Sequence, residues 1–301
     1  MALFVFNRLD AARQVVDALQ KNELAADTDV IIFSDGGKDD ATWQQVRALR
    51  AWLRTISGFR SVRIVERATN YYIERNVSEG IAEVLAQYES IIVLEDDVVP
   101  CRTFLRFMNG ALNAYRDVPR VMHIAGWNYL PLKRFGQAVL WRYMECTGGW
   151  ATWRDRWSHF ERYASRAAAL AGLTPEDLRA LELGGSFHCL DNLDHQPIPW
   201  DVCWYISIYR QRGLCLTPSR SQTVSIGLYG GTHFRFSRLT GRSAYETRAE
   251  NFVFTDFPRL IEENAEAIAL ITDFYEQPLM RLNLFGKLVQ RASRVWNAVR
   301  P

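Results

Sequence analysis

Four short apolar runs, each closed by a polar tip and followed by residues at helical spacing, leave this chain few folds to choose from. Residues 2–6, 30–33, 62–65 and 91–94 are too short for independent helices and read as buried strands. Between them the apolar period lengthens. Val15, Val16 and Leu19 share one face of a helix that Asp10 would cap. Trp43, Val46, Leu49, Leu53 and Ile56 do the same over 40–56, and Val77, Ile81, Val84 and Leu85 over 76–88. A further helix over 102–115 leads to a strand at 121–125. Strands buried on both faces and alternating with helices predict a parallel, helix-covered sheet of the doubly wound kind.

In such sheets ligands gather beyond the carboxyl ends of the strands. Asn7-Arg8, Ser34-Asp35-Gly36 and Glu95-Asp96-Asp97 all close predicted strands, so three polar tips belong to one rim. The third is the most demanding. Three carboxylates on the end of a buried strand repel one another and resist desolvation, so something cationic should offset them. A divalent metal that prefers hard oxygen and also bridges phosphate oxygens answers that need, although a solvated acidic turn would read the same way. The Gly36-Gly37 pair permits a tight turn or a close backbone approach to a ligand.

From Gly126 the texture changes, with Trp127, Tyr129, Trp141, Tyr143, Trp150, Trp153 and Trp157 crowding a less regular half. Thr174-Pro175-Glu176 opens a helix with proline at its first position. A loop over 184–199 carries His188, Asp191, Asp194 and His195, and 200–212 is a helix ended by Gly213. Residues 225–233 are glycine-rich. His123 lies inside an apolar run and reads as core. Near the end, 284–299 sets Leu284, Leu288, Val295 and Trp296 on one stripe with Lys287, Arg291 and Arg294 around it. Such a basic amphipathic helix can lie on a membrane surface, or pack on its own domain or a partner. The formal net charge of +2 gives no support to a nucleic-acid partner. Five scattered cysteines without a CxxC pair read as reduced thiols of a cytoplasmic protein, and no apolar run reaches membrane-spanning length.

Five segments occur in the order seen in bacterial GT-A glycosyltransferases: LFVFNR (3–8), IIFSDGG (31–37), LEDDV (94–98), GGWATWRDRW (148–157) and PWDVCW (199–204). Over roughly 2–235 the chain resembles the inverting enzymes of cell-surface polysaccharide assembly, capsule or lipopolysaccharide, with a more distant likeness to N-acetylglucosaminyltransferase I. The resemblance implies an α/β GT-A fold, Rossmann-like and mostly parallel, over 1–280. It divides into a nucleotide-sugar half at 1–126 and an acceptor half at 127–258, with 281–301 as the C-terminal helix. It implies a nucleotide-sugar donor, a UDP-sugar for preference, and Mn2+ or Mg2+ on a DxD-type motif. A glycan or lipid-linked glycan would be the acceptor, with peripheral contact at the inner face of the plasma membrane.

The resemblance also assigns residues. Asn7 and Arg8 would border the base and ribose, and Asp35, beside Gly36, would hydrogen-bond the uracil or its ribose. Asp97 would bind the metal, with Glu95 and Asp96 on ribose, sugar hydroxyls or the metal shell. His233, in GGTHF, lies where some GT-A enzymes place a further metal ligand. Gly149, Trp150 and Trp200 would shape the donor-sugar and acceptor pocket, whereas Trp153 and Trp157 suit a core. Asn70 and Arg75 would help to place the donor, but related chains commonly have Gly where this one has Tyr72, so the turn here should avoid positive φ. Inverting transfer needs a base for the acceptor hydroxyl. Asp201 is the candidate, with Asp191 and Asp194 behind it, although an acid there also suits the first turn of a helix. Retaining chemistry would need no such base and stays open. A sugar-nucleotidyltransferase uses a related sheet, but its glycine- and Arg/Lys-rich phosphate loop is missing after Phe6. A non-catalytic glycan-binding or assembly module would keep the aromatics and have no use for the three carboxylates.

Overall fold

A computed structural model of the chain describes residues 1–227 and 247–276. Its first half delivers the predicted alternation: β1 (Ala2–Val5), α1 (Leu9–Gln20), β2 (Asp29–Ser34), α2 (Asp40–Leu53), β3 (Ser61–Glu66), α3 (Tyr72–Leu85) and β4 (Ser90–Glu95). There follow β5 (Val98–Pro100), α4 (Phe104–Ala114), β6 (Val121–Ala125), β7 (Ala138–Trp141), β8 (Trp150–Trp153) and α5 (Arg154–Trp157). Then come α6 (Arg166–Leu170), α7 (Pro175–Leu181), α8 (Trp200–Arg210), β9 (Leu214–Pro218), β10 (Thr223–Ser225) and α9 (Ala265–Glu276).

Eight of these strands form one sheet in the order β3-β2-β1-β4-β8-β6-β9-β7. Pairs β3-β2, β2-β1, β1-β4 and β6-β9 are parallel, and β8 and β7 run against their neighbours. The fold is thus an α/β, mostly parallel sheet flanked by helices. Alternation of side chains sends Phe4 and Phe33 to one face, where their rings stack at 5.0 Å beneath α3, and Leu3 and Val5 to the other, against α1. Gly80 of α3 is needed there, because a Cβ would come within 2.6 Å of the Phe4 ring. A capping box between Asp39 and Thr42 starts α2, and the Thr174-Asp177 box with Pro175 starts α7 where the sequence places it.

Several boundaries differ from expectation. Arg8, not Asp10, occupies the N-cap of α1, and Asp10 sits in the first turn. Helix α2 stops at Leu53, and α3 begins at Tyr72 rather than 76. Trp150 and Trp153 lie on β8, and only 154–157 turn as helix. Arg212, with φ 51°, makes the left-handed turn after α8 instead of Gly213. Gly213 is required for another reason: a Cβ there would stand 2.5 Å from Met122 Sδ. Among the described residues no helix is long and apolar enough to cross a membrane. His233 and the helix expected at 281–301 lie outside the described residues.

Candidate active site

Strand β1 lies between β2 and β4, with Phe4 opposite both Phe33 and Glu95 and Val5 opposite Ser34. That register sets residues 6–8, 35–36 and 95–97 side by side on one rim. Glu95 is the last residue of β4, and Asp96-Asp97 form the turn into β5.

The cation that the carboxylates call for is supplied by the chain itself. Arg8 donates from Nη2 to Asp96 Oδ1 and from Nη1 to Asp97 Oδ2, the latter at 2.8 Å. Asp96 is only 3% exposed in its side chain, and its second oxygen accepts from Phe6 N at 3.3 Å. Both oxygens of Asp96 are thus engaged within the rim itself. Arg8 likewise turns its guanidinium to the two acids. Asp97 is 20% exposed, the more accessible of the two. Behind it Ile226 N donates to Asp97 O at 2.8 Å, and a Cβ on Gly227 would fall 2.2 Å from Asp97 Oδ2, so only glycine admits this approach. Burial, with the charges of Asp97 and Asp96, pushes Glu95 up to about 8. Burial also lifts Asp96 to about 6, against the pull of Arg8. Burial opposes the charge on Arg8, yet the two aspartates carry its pKa above the ordinary guanidinium value.

Asp35, buried at the tip of β2, accepts from Gly36 N at 2.9 Å and Tyr71 N at 2.7 Å. Desolvation still raises its pKa, with those bonds opposing. Gly36 lies so close to Thr69 that a Cβ would meet its carbonyl carbon at 2.3 Å. Asn70 binds Gly36 O through Nδ2 at 2.6 Å and accepts from Tyr72 N at 3.1 Å, so its side chain braces two loops. Tyr72 adopts φ 56°, the positive value that its side chain should have forbidden. The Asn70 acceptor holds the backbone there at a cost of about 1–2 kcal/mol. Lys38 Nζ lies 5.3 Å from the centre of the Phe6 ring and 5.1 Å from that of Tyr72. Asn7 bonds Gln45 at 2.7 Å, and Arg75 pairs with Glu79 while stacking over Tyr71 at 3.7 Å.

The opposite wall comes from 145–149 and the start of α8. Asp201, the second residue of that helix, accepts from its own neighbour Val202 N at 2.9 Å and lies 4.0 Å from Cys146 Sγ. Cys146 belongs to the loop whose Gly149 packs against Leu94 of β4, so Asp201 stands on the side of the sheet where the strand-tip acids lie, and its charge adds to the rise of Glu95 and Glu74. Asp194 is instead exposed and pairs with Arg166, and the charge of the exposed Asp191 acts on Glu182. Two further acids here escaped the sequence reading. Glu74 of α3 accepts Trp200 N at 2.6 Å, capping α8 from another element, and burial pushes it up to about 7 with Asp201 adding to the rise. Glu145, raised by burial, accepts Thr147 N at 2.9 Å and Tyr143 Oη at 3.4 Å. No spacing rule connects Glu74 to a helix 126 residues further on.

Trp150 is 1% exposed, stacked between His123 at 5.0 Å and Trp200 at 5.4 Å, and Trp200 is also buried. Both rings are buried beneath the wall. Gly149, with φ 77°, earns its identity by letting the loop cross Leu94, whose Cδ2 would lie 2.6 Å from a Cβ. His123 is core as read, and burial lowers its pKa to about 4.

Among the described residues no group of three His, Cys, Asp or Glu side chains stands together as a metal cage. A metal carried in with a diphosphate needs only one or two protein carboxylates, the rest coming from phosphate and water. The hard-oxygen set at Asp97, at the accessible edge of the rim, fits that lesser demand.

Residues 2–126 match the model of Glycosyl transferase family 2, a stretch that runs from β1 through β6 and includes all three rim tips. No curated protein matches the chain. Among solved structures it is similar to residues 1–349 of S. aureus TarS, at 10% identity and TM-score 0.45, covering 75% of this chain and 60% of that one. It is also similar to the mannosyltransferase PcManGT from Pyrobaculum calidifontis, in complex with GDP-Man and Mn2+, at 12% identity and TM-score 0.42, covering 70% and 68%. Mouse xyloside xylosyltransferase 1, in its apo form, gives 11%, 0.37, 70% and 82%. The chain thus spans 60% of the length of the first of these.

Proposed function

We propose that this chain is a glycosyltransferase that moves a sugar from a nucleotide-sugar, a UDP-sugar, to a glycan or lipid-linked glycan, with inversion, in the synthesis of a bacterial surface polysaccharide. The observation that carries the reading is the meeting of two walls: the strand-tip acids 95–97 on one side and Asp201 of α8 on the other, joined through the 145–149 loop that touches both Asp201 and Leu94. One wall suits a diphosphate leaving group, the other the attacking hydroxyl. In this reading Asp201 takes the hydroxyl proton as the new bond to the anomeric carbon forms and the bond to the diphosphate breaks. Asp35 and Gly36, at the tip of β2, would receive the uracil or ribose, and Asp97 would hold Mn2+ or Mg2+. When bound, that cation neutralises charge developing on the diphosphate.

The inverting outcome and the likeness to N-acetylglucosaminyltransferase I belong to the same reading, as does work at the inner face of the plasma membrane with 281–301 as the contact. A thermal-shift panel of UDP, GDP, CMP and dTDP with Mn2+ or with EDTA tests it. UDP should raise the melting midpoint in the presence of Mn2+ and lose that effect in EDTA. Four nucleotides without any metal-dependent shift would sink the proposal.

A further inference from the structure

We infer that Arg8 is a resident counter-cation of the Asp96–Asp97 pair, and that a divalent cation arriving with a nucleotide diphosphate must displace it. The inference rests on the reading that Asp97 holds the metal. Its basis is the double ion pair: one guanidinium reaches Oδ1 of Asp96 and Oδ2 of Asp97 together, lying where a cation shared by the two acids would lie.

The side chains differ in their freedom to move. Asp96 is anchored by Phe6 N and nearly sealed, whereas the Arg8 side chain is 40% exposed and extends from the N-cap of α1. Arg8 can turn toward solvent without opening the core. A metal added beside a bound guanidinium would place two cations on the same carboxylate, and their repulsion grows in a partly buried site. A diphosphate removes this conflict, since it brings anionic oxygens to the metal and offers the displaced Arg8 a new partner. Metal alone should therefore bind poorly, and metal with nucleotide well. Without Arg8 that order is lost, because the two aspartates meet the metal with no competitor.

Mn2+ binding, followed by the loss of the free-ion electron paramagnetic resonance signal at pH 8, tests this on the full chain. Wild type, Arg8→Met and Arg8→Lys are compared without nucleotide and with UDP, and a melting curve for each variant checks folding. Arg8→Met should bind Mn2+ alone at least about tenfold more tightly than wild type, by removal of the competing charge. Mn2+ should also restore the melting midpoint that this variant loses. Arg8→Lys, which keeps a charge, should stay near wild type. If wild type binds Mn2+ with UDP while folded Arg8→Met binds Mn2+ alone no better, the inference is overturned by itself. Wild type that takes up no Mn2+ with or without UDP, GDP, CMP or dTDP overturns the metal reading and the inference together.

Discussion

Asp96 and Asp97 are chain neighbours in very different surroundings. The first is sealed and satisfied by Arg8 and Phe6 N; the second stands at the edge with Gly227 against it. The string Glu-Asp-Asp names the cluster but not this division, which depends on where the β4–β5 turn points each side chain. Glu95 is the most strained electrically, and it makes no hydrogen bond to a side chain among the described residues. Its pKa of about 8 in the fold lies above the ordinary 4.5, so the folded state holds its proton more tightly than the unfolded one. The stabilising effect is complete below 4.5 and fades as pH rises toward 8. Glu74, at about 7, and Asp96, at about 6, act in the same direction. Urea denaturation across pH 5–8 should therefore show stability falling with pH, and Glu95→Gln should flatten the fall. A Glu95→Gln curve as steep as wild type would place the pH dependence elsewhere.

At the scale of elements, the first half was legible because each strand and helix there carries its own period. The start of α3 was not, since the Asn70 side chain and the left-handed Tyr72 admit a turn that side-chain rules alone disfavour. Strands β7 and β8 were hidden by their aromatics: Trp150 and Trp153 fit a helix as well as a strand until the pairing of β8 between β4 and β6 is known. Helix α8 depends on a partner that no local signal announces. Pro199 gives it no side-chain cap, and Glu74 accepts the Trp200 N–H instead. Glu74→Ala should cost about 1–3 kcal/mol by leaving that donor unpaired, whereas Glu74→Gln keeps an acceptor and should lose less. Chemical denaturation of the two variants checks the ranking. Equal losses would mean that charge, rather than the cap, matters at this position.

For the molecule as a whole, the rim was readable because strand tips converge in any parallel sheet of this type. Asn7, Asp35 and the 95–97 acids could thus be grouped before the register was known. The opposite wall was legible only at Asp201, through the resemblance, and its companions Glu74 and Glu145 emerged from the packing of α3 and 145–149 on α8. The aromatics of the second half proved to be mainly foundation, with Trp150 and Trp200 sealed under the site.

In the proposed reading the rim binds the donor and Asp201 takes the proton, and Asp201→Asn separates the two roles most directly. The measurement is steady-state UDP release from a UDP-sugar that stabilises the protein, set beside the affinity for UDP with Mn2+. A general base contributes about 10²–10⁴-fold, so UDP release should fall by that order while nucleotide affinity stays within about twofold of wild type. Unimpaired turnover by Asp201→Asn would contradict the account.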